Sequence, residues 1–179
     1  IGVRLVGSEM CIRDSTIIPI YFEYFKFIFA NSIEIMEIIN LKAFKHLTHL
    51  NVRFMDIDAL KHFNNARYLN YLEEARISYC QEVLNMFTEI NQFNVLVARI
   101  EIDFLKPILF NNKIKIYTRV PKIGKKSFVF ESVICTESSG KEIIACRAIQ
   151  TLVTFDTISQ ESIVVPDQIK EAIAKYENI

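Results

Sequence analysis

The sequence carries no surplus of charge: 21 Lys and Arg are matched by 21 Asp and Glu. A net charge of zero gives no global field to gather nucleic acid or an anionic membrane surface, so neither is expected as a partner. Cysteine is sparse and unpatterned. Cys11, Cys80, Cys135 and Cys146 form no CxxC pair and sit in apolar surroundings, which argues against zinc ligation or a disulfide framework and predicts buried free thiols in a reducing, cytoplasmic setting. The apolar run at 16–29, TIIPIYFEYFKFIF, is interrupted by Pro19, Glu23 and Lys26 and falls short of the ~20 residues a membrane-spanning helix needs. Histidine is limited to His46, His49 and His62. Residues 36–179 contain neither an internal repeat nor a low-complexity linker.

The first fifteen residues, IGVRLVGSEMCIRDS, have no helical or strand periodicity. GSEMCIRDS resembles translated sequencing-adapter sequence and is set aside from fold reasoning. A signal peptide is considered for the following run, with Arg13 before it and Ala30, Asn31 and Ser32 after it, but charges inside its apolar stretch argue against one. The reading adopted treats 1–35 as a non-native or read-through leader, with translation starting at Met36 and a single domain over 36–179.

Within that domain, 47–55 reads as a first strand entering a polar loop. From Asn65 the pattern turns helical: Tyr68, Leu72, Ala75, Tyr79, Val83 and Met86 recur at steps of three and four, predicting about six turns with one apolar stripe. The remainder alternates as strands should, with Ala98, Ile100, Ile102 and Phe104 on one face and Ile114, Ile116, Thr118 and Val120 on another. Turn residues at 107–112, 121–126 and 138–141 predict an antiparallel meander, and Pro166 opens a short terminal helix. The expected architecture is α+β: a long helix wrapped by a curved five-stranded antiparallel sheet, with a short C-terminal helix.

Chemistry-bearing residues concentrate in 51–76, NVRFMDIDALKHFNNARYLNYLEEAR. Asp56, Asp58, His62, Asn64 and Asn65 crowd the loop that leads into the helix, where Asn64 or Asn65 suits an N-cap. The order of elements, together with Val52-Arg53-Phe54, Asp56-x-Asp58, His62-Phe63-Asn64-Asn65, Tyr68-Leu69 and Glu73-x-Ala75-Arg76, resembles the 4-hydroxybenzoyl-CoA thioesterase-like acyl-CoA thioesterases of the hotdog fold. The likeness continues through 103–107 (DFLKP) and Gly124-x-x-Ser127-Phe128. Many positions matched at fixed spacing make this far more specific than any single motif.

The resemblance implies hydrolysis of an acyl-CoA to a carboxylic acid and CoA, in the cytoplasm, by a homodimer or homotetramer with no metal and no organic cofactor. It carries the catalytic carboxylate to Asp58, which can attack the thioester carbonyl or deprotonate the water that does. It carries the oxyanion donor to the backbone N–H of Asn65, at the positive end of the helix dipole. His62 is grouped with these two, more as a loop-orienting residue than as a proton carrier. Asn64, Lys61, Glu73 and Tyr68 are candidate substrate contacts. For Asp56 a turn role is favoured, and for Glu73 an ion pair with Arg76, three residues on. Glu73 is also the reserve catalytic carboxylate, since some hotdog thioesterases use one on the helix of the facing subunit. The lysines at 122, 125 and 126 read as a solvated turn before a phosphate site. Lys61 replaces the family's usual glycine, so a left-handed backbone there would cost on the order of 1 kcal/mol. Two other readings stand beside the thioesterase: a hotdog dehydratase or hydratase, weakened by the shortage of histidine, and a non-hydrolytic acyl-group binder.

Overall fold

The computed structural model describes residues 39–86, 95–138 and 140–179, and the elements of the fold belong to the unit Asn40–Ile179. The leader expected at 1–35, and Cys11 within it, lie outside the described residues.

Helix α1, Arg67–Leu84, is the axis around which the rest is arranged. Its buried residues are Tyr68, Tyr71, Leu72, Ala75, Arg76, Tyr79, Cys80 and Leu84, a wide stripe at helical spacing that must be covered. The helix stops where Asn85 turns left-handed (φ 52°) and the Met86 N–H donates back to the Cys80 carbonyl at 3.0 Å, satisfying one of the orphan carbonyls of the last turn. At five turns it is about one turn shorter than the periodicity suggested.

The cover is an antiparallel sheet of β1 (His46–Asn51), β2 (Val95–Phe104), β3 (Lys113–Ile123), β4 (Ser127–Ser138) and β5 (Lys141–Asp156). Its order is β1-β3-β4-β5-β2, and the two-residue β6 (Glu161–Ser162) pairs with β5. The predicted meander therefore holds for β3, β4 and β5 but not for β2, which pairs with β5 rather than with its sequence neighbour β3. The reason lies in the 105–112 link, which is no hairpin turn. Leu105 and Ile108 are buried, the Leu105 and Lys106 N–H groups donate to the Ala145 carbonyl, and the Ile108 carbonyl accepts from the Phe63 N–H, so the link crosses the end of the sheet instead of folding β2 back on β3.

The first strand also ends earlier than expected. After Asn51 the chain leaves the ladder, and Phe54–Asp56 forms a single 3₁₀ turn. Helix α2, Asp167–Glu177, follows Pro166, whose fixed φ suits a helix start, and buries Ile173.

The inner face of the sheet and α1 enclose two apolar clusters, one around Phe63, Tyr71, Leu72, Ile114 and Ile134, the other around Tyr79, Phe128, Phe130, Leu152 and Ile173. Each fully buried side chain of this size contributes roughly 1.5–3 kcal/mol. Polar side chains lie buried beside them. Arg76 donates to Gln150 Oε1, Gln150 Nε2 lies 3.5 Å from Ser132 Oγ, and Ser132 Oγ lies 3.5 Å from Thr118 Oγ1. Periodicity alone would have put an apolar residue at 76; the guanidinium is tolerated there because Gln150 satisfies it and Glu73 stands 3.8 Å from Nη2. Cys80, Cys135 and Cys146 are free and buried, as expected, and burial pushes the Cys80 and Cys135 thiols up to about 12.

Candidate active site

The loop between the 3₁₀ turn and α1 is built from its own backbone. Its two arms are joined by the Ile57–Phe63 bridge, by the Asp58 N–H donating to the His62 carbonyl (2.8 Å) and by the Asn64 N–H donating to the Asp56 carbonyl (2.8 Å). Phe63 plugs the loop into the core, with its ring edge-on to Tyr68 and Tyr71 at centroid distances of 4.7 and 4.8 Å. The helix start is thereby held against the carboxylate turn.

Asp58 sits at the tip. Its Oδ1 accepts from the Leu60 N–H (2.8 Å) and the His62 N–H (3.1 Å), while Oδ2 meets no partner among the described residues. One oxygen thus fixes the carboxylate and the other is left for a substrate or water. The turn closes through the Lys61 N–H, which donates to the Asp58 carbonyl (3.0 Å), and this needs Lys61 at φ 64°, the left-handed region that glycine enters without strain. The Lys61 and His62 side chains are exposed and have no partner among the described residues.

Asn64 is the cap. Its Oδ1 accepts from the Ala66 N–H (2.9 Å) and its carbonyl from the Arg67 N–H (2.8 Å), leaving the Asn65 N–H with no acceptor among the described residues at the positive end of α1. An orphan donor beside a carboxylate with one free oxygen can stabilise negative charge on a carbonyl oxygen while the carboxylate acts on its carbon.

The other predicted residues divide. Asp56 is fully buried and does not serve as a simple turn residue: Arg53 holds it through Nε (2.8 Å) and Nη2 (3.2 Å), Tyr71 donates its hydroxyl to Oδ2 (2.7 Å), and Arg67 Nε stands 3.6 Å away. The Arg53 hydrogen bonds outweigh burial and hold its carboxyl below the usual range. Nothing in the sequence marked Tyr71 as its partner, although Arg53 and Asp56 at a spacing of three were visible. Tyr68 is buried in the core, its ring edge-on to Phe104 at 4.9 Å, and burial pushes its hydroxyl up, so it stands behind the loop rather than in front of it. Glu73 is exposed and lies six residues past the first helical residue, Arg67, about 9 Å along the helix, where it stands 3.8 Å from Arg76. The 122–126 lysines lie at the far end of β3 from Lys113, about 30 Å away, and Lys126 Nζ donates to the Ser162 carbonyl. Among the described residues no three His, Cys, Asp or Glu side chains group as a metal site, and no helix is long and apolar enough to cross a membrane.

Comparison with known proteins bears on the family and the fold. The family model described as the thioesterase-like superfamily matches residues 52–173. The chain is 27% identical over 128 residues, 70% of its length and 95% of the relative's, to the long-chain acyl-CoA thioesterase FadM of Escherichia coli (strain K12). It is 33% identical over 85 residues to YsmA of Bacillus subtilis (strain 168), spanning 48% of this chain and 57% of that one. Among solved structures, a thioesterase of Thermus thermophilus in complex with coenzyme A and Zn superposes with a TM-score of 0.68 at 30% identity, covering 77% of this chain and 98% of that one. With its helix wrapped by a curved antiparallel sheet and its family model matched across most of the domain, the chain belongs to the thioesterase-like superfamily and is a hotdog-fold thioester hydrolase.

Proposed function

We propose that this chain is an acyl-CoA thioesterase, splitting an acyl-CoA with water into a carboxylic acid and CoA. The observation that carries the reading is the division of labour in the 58–65 loop: Asp58 Oδ1 is committed to two loop N–H groups, its Oδ2 is unclaimed, and the Asn65 N–H is open at the helix start. In this reading Oδ2 either attacks the thioester carbonyl or takes a proton from the attacking water, and the Asn65 N–H receives the developing oxyanion, a donor typically worth ~3 kcal/mol. Asn64 keeps that donor in place, and His62 shapes the turn through its backbone. The leaving thiolate of CoA takes up the proton that water gives up, and on the covalent route water then cleaves the Asp58–acyl anhydride, which releases the acid and restores the carboxylate. The chain's own side chains and water supply every group the reaction uses, with no metal or organic cofactor.

The reading includes a homo-oligomer. β2 is an edge strand that exposes Leu96, Val97 and Phe104, and joining it to a second copy would cover both its unpaired backbone and these side chains. In such an assembly the exposed Glu73 is the reserve carboxylate for a facing subunit's site. FadM and the Thermus protein, named for acyl-CoA hydrolysis and for a complex with coenzyme A, support CoA as the thiol.

Incubating purified protein with a panel of acyl-CoAs and measuring free thiol tests the reading. Thiol release is expected. Hydration of an enoyl-CoA without thiol release would favour the dehydratase class instead, and acyl-CoA binding with neither reaction would favour a passive binder.

A further inference from the structure

The turn that carries Asp58 also carries a lysine that its geometry does not call for. Lys61 sits at φ 64°, where glycine is unstrained, and its exposed side chain meets no partner among the described residues, Asp58 included. Other lysines are tied: Lys115 to Glu142, Lys126 to Ser162, Lys170 to Asp167 and Lys45 to the Tyr176 carbonyl. A strained residue at a reactive turn points to a use for its side chain. Lys61 is also held against the carboxylate. The N–H groups on either side of it, of Leu60 and His62, both donate to Asp58 Oδ1, at 2.8 and 3.1 Å, and its own N–H donates to the Asp58 carbonyl at 3.0 Å. Its Cα is thereby fixed beside the group that meets the thioester, and the four-carbon stem carries Nζ roughly 6 Å from that Cα. In any assembly, a thioester that meets Asp58 Oδ2 lies within this reach.

We propose that Lys61 Nζ is a self-acylation site, which takes the acyl group of the protein's own acyl-CoA substrate as an amide. The inference rests on the acyl-CoA reading and goes beyond it, from release of the acyl group to water to its capture by the chain. The ammonium first loses a proton, to Asp58 Oδ2 and on to solvent. The free amine then adds to the thioester carbonyl: the N–C bond forms, the C–S bond breaks, and the departing sulfur takes a second proton from the nitrogen. Acyl-CoA and an ammonium become an amide, the CoA thiol and one proton, with nothing oxidised or reduced. Water competes at every turnover, so the adduct builds up beneath a continuing hydrolysis. The amine competes because a group held beside its target acts as though highly concentrated.

The test incubates the full chain with butyryl-CoA, native and in urea, and follows thiol release together with peptide mass maps over time. Each lysine reports its own rate, and hydroxylamine, which cleaves an Asp58–acyl anhydride and spares an amide, identifies the bond. In the native chain Lys61 should be acylated at least about tenfold faster than any other lysine, and in urea no faster than the rest. Asp58→Asn should slow Lys61 by about tenfold or more and leave the other lysines unchanged. Lys61→Arg keeps the charge, removes the nucleophile and should carry no adduct at that position. Thiol release over many turnovers, with Lys61 no faster than the other lysines, refutes the site and leaves the hydrolytic reading standing. One thiol per chain with the acyl group on Lys61 supports the site and sinks the hydrolytic reading, whereas neither thiol nor adduct refutes both. A Lys61 rate unmoved by Asp58→Asn would reduce the adduct to ordinary surface acylation, which also refutes the proposal.

Discussion

Lys61→Gly is expected to stabilise the protein although it removes a whole side chain. Lys61 holds φ 64°, and its exposed side chain has no partner among the described residues, so truncation forfeits no contact there. A residue with a Cβ in the left-handed region bears a strain of about 1–2 kcal/mol. Glycine relieves it but loses about 0.5–1 kcal/mol more backbone freedom on folding. The difference is a net gain of about 0.5–1 kcal/mol, or roughly 1–4 °C in melting temperature for a chain of this size. Lys61→Ala is the matched control: it also removes the side chain but keeps the Cβ, and should gain little or nothing. Urea unfolding of the three proteins, read as midpoints at a common slope, measures this directly. If glycine is no more stable than alanine, the strain argument is wrong. Loss of stability in both variants would mean that the lysine side chain itself holds the turn.

Further expectations concern the groups behind the loop. Tyr71→Phe removes the hydroxyl that lies 2.7 Å from Asp56 Oδ2 and 2.9 Å from the Asn51 carbonyl, and should cost about 2 kcal/mol by urea titration, because one of its acceptors is a buried carboxylate. Burial lowers the pKa of His46, against the opposing pull of Glu82 and Glu177. The folded state therefore prefers neutral His46, and below about pH 6.5 the unfolded chain binds the extra proton; the stability this residue contributes is full above that pH and is lost as pH falls towards its folded value. His46→Gln should flatten the decline in unfolding midpoint between pH 7.5 and 5.5 relative to wild type.

How much of this was legible depended on range. The existence and face of α1 followed from Tyr68, Leu72, Ala75 and Tyr79, since a stripe at helical spacing has one way to be buried. The positive φ at Lys61 followed from the glycine that the family places there. Strand order did not follow: the 105–112 link is short enough for a hairpin, and only its contacts with Phe63 and Ala145, both far from it along the chain, reveal a crossing. The same holds for Asp56, whose local partner Arg53 was in view while Tyr71, fifteen residues away, was not. Arg76 ran against the pattern altogether, because the glutamine that satisfies it lies seventy-four residues on. Local backbone preferences are written in neighbouring residues, whereas satisfaction of a buried polar group is a tertiary matter.

The central claim is that Asp58 does chemistry and does not merely close its turn. Asp58→Asn separates the two roles, because the amide keeps an oxygen to accept from the Leu60 and His62 N–H groups while losing the charge on the other atom. Steady-state thiol release from an acyl-CoA, with thermal melts of the same samples, is the direct measurement. A kcat lower by about 100-fold or more is expected, with a melting temperature close to wild type. A kcat within a few-fold of wild type in an equally stable variant would contradict it.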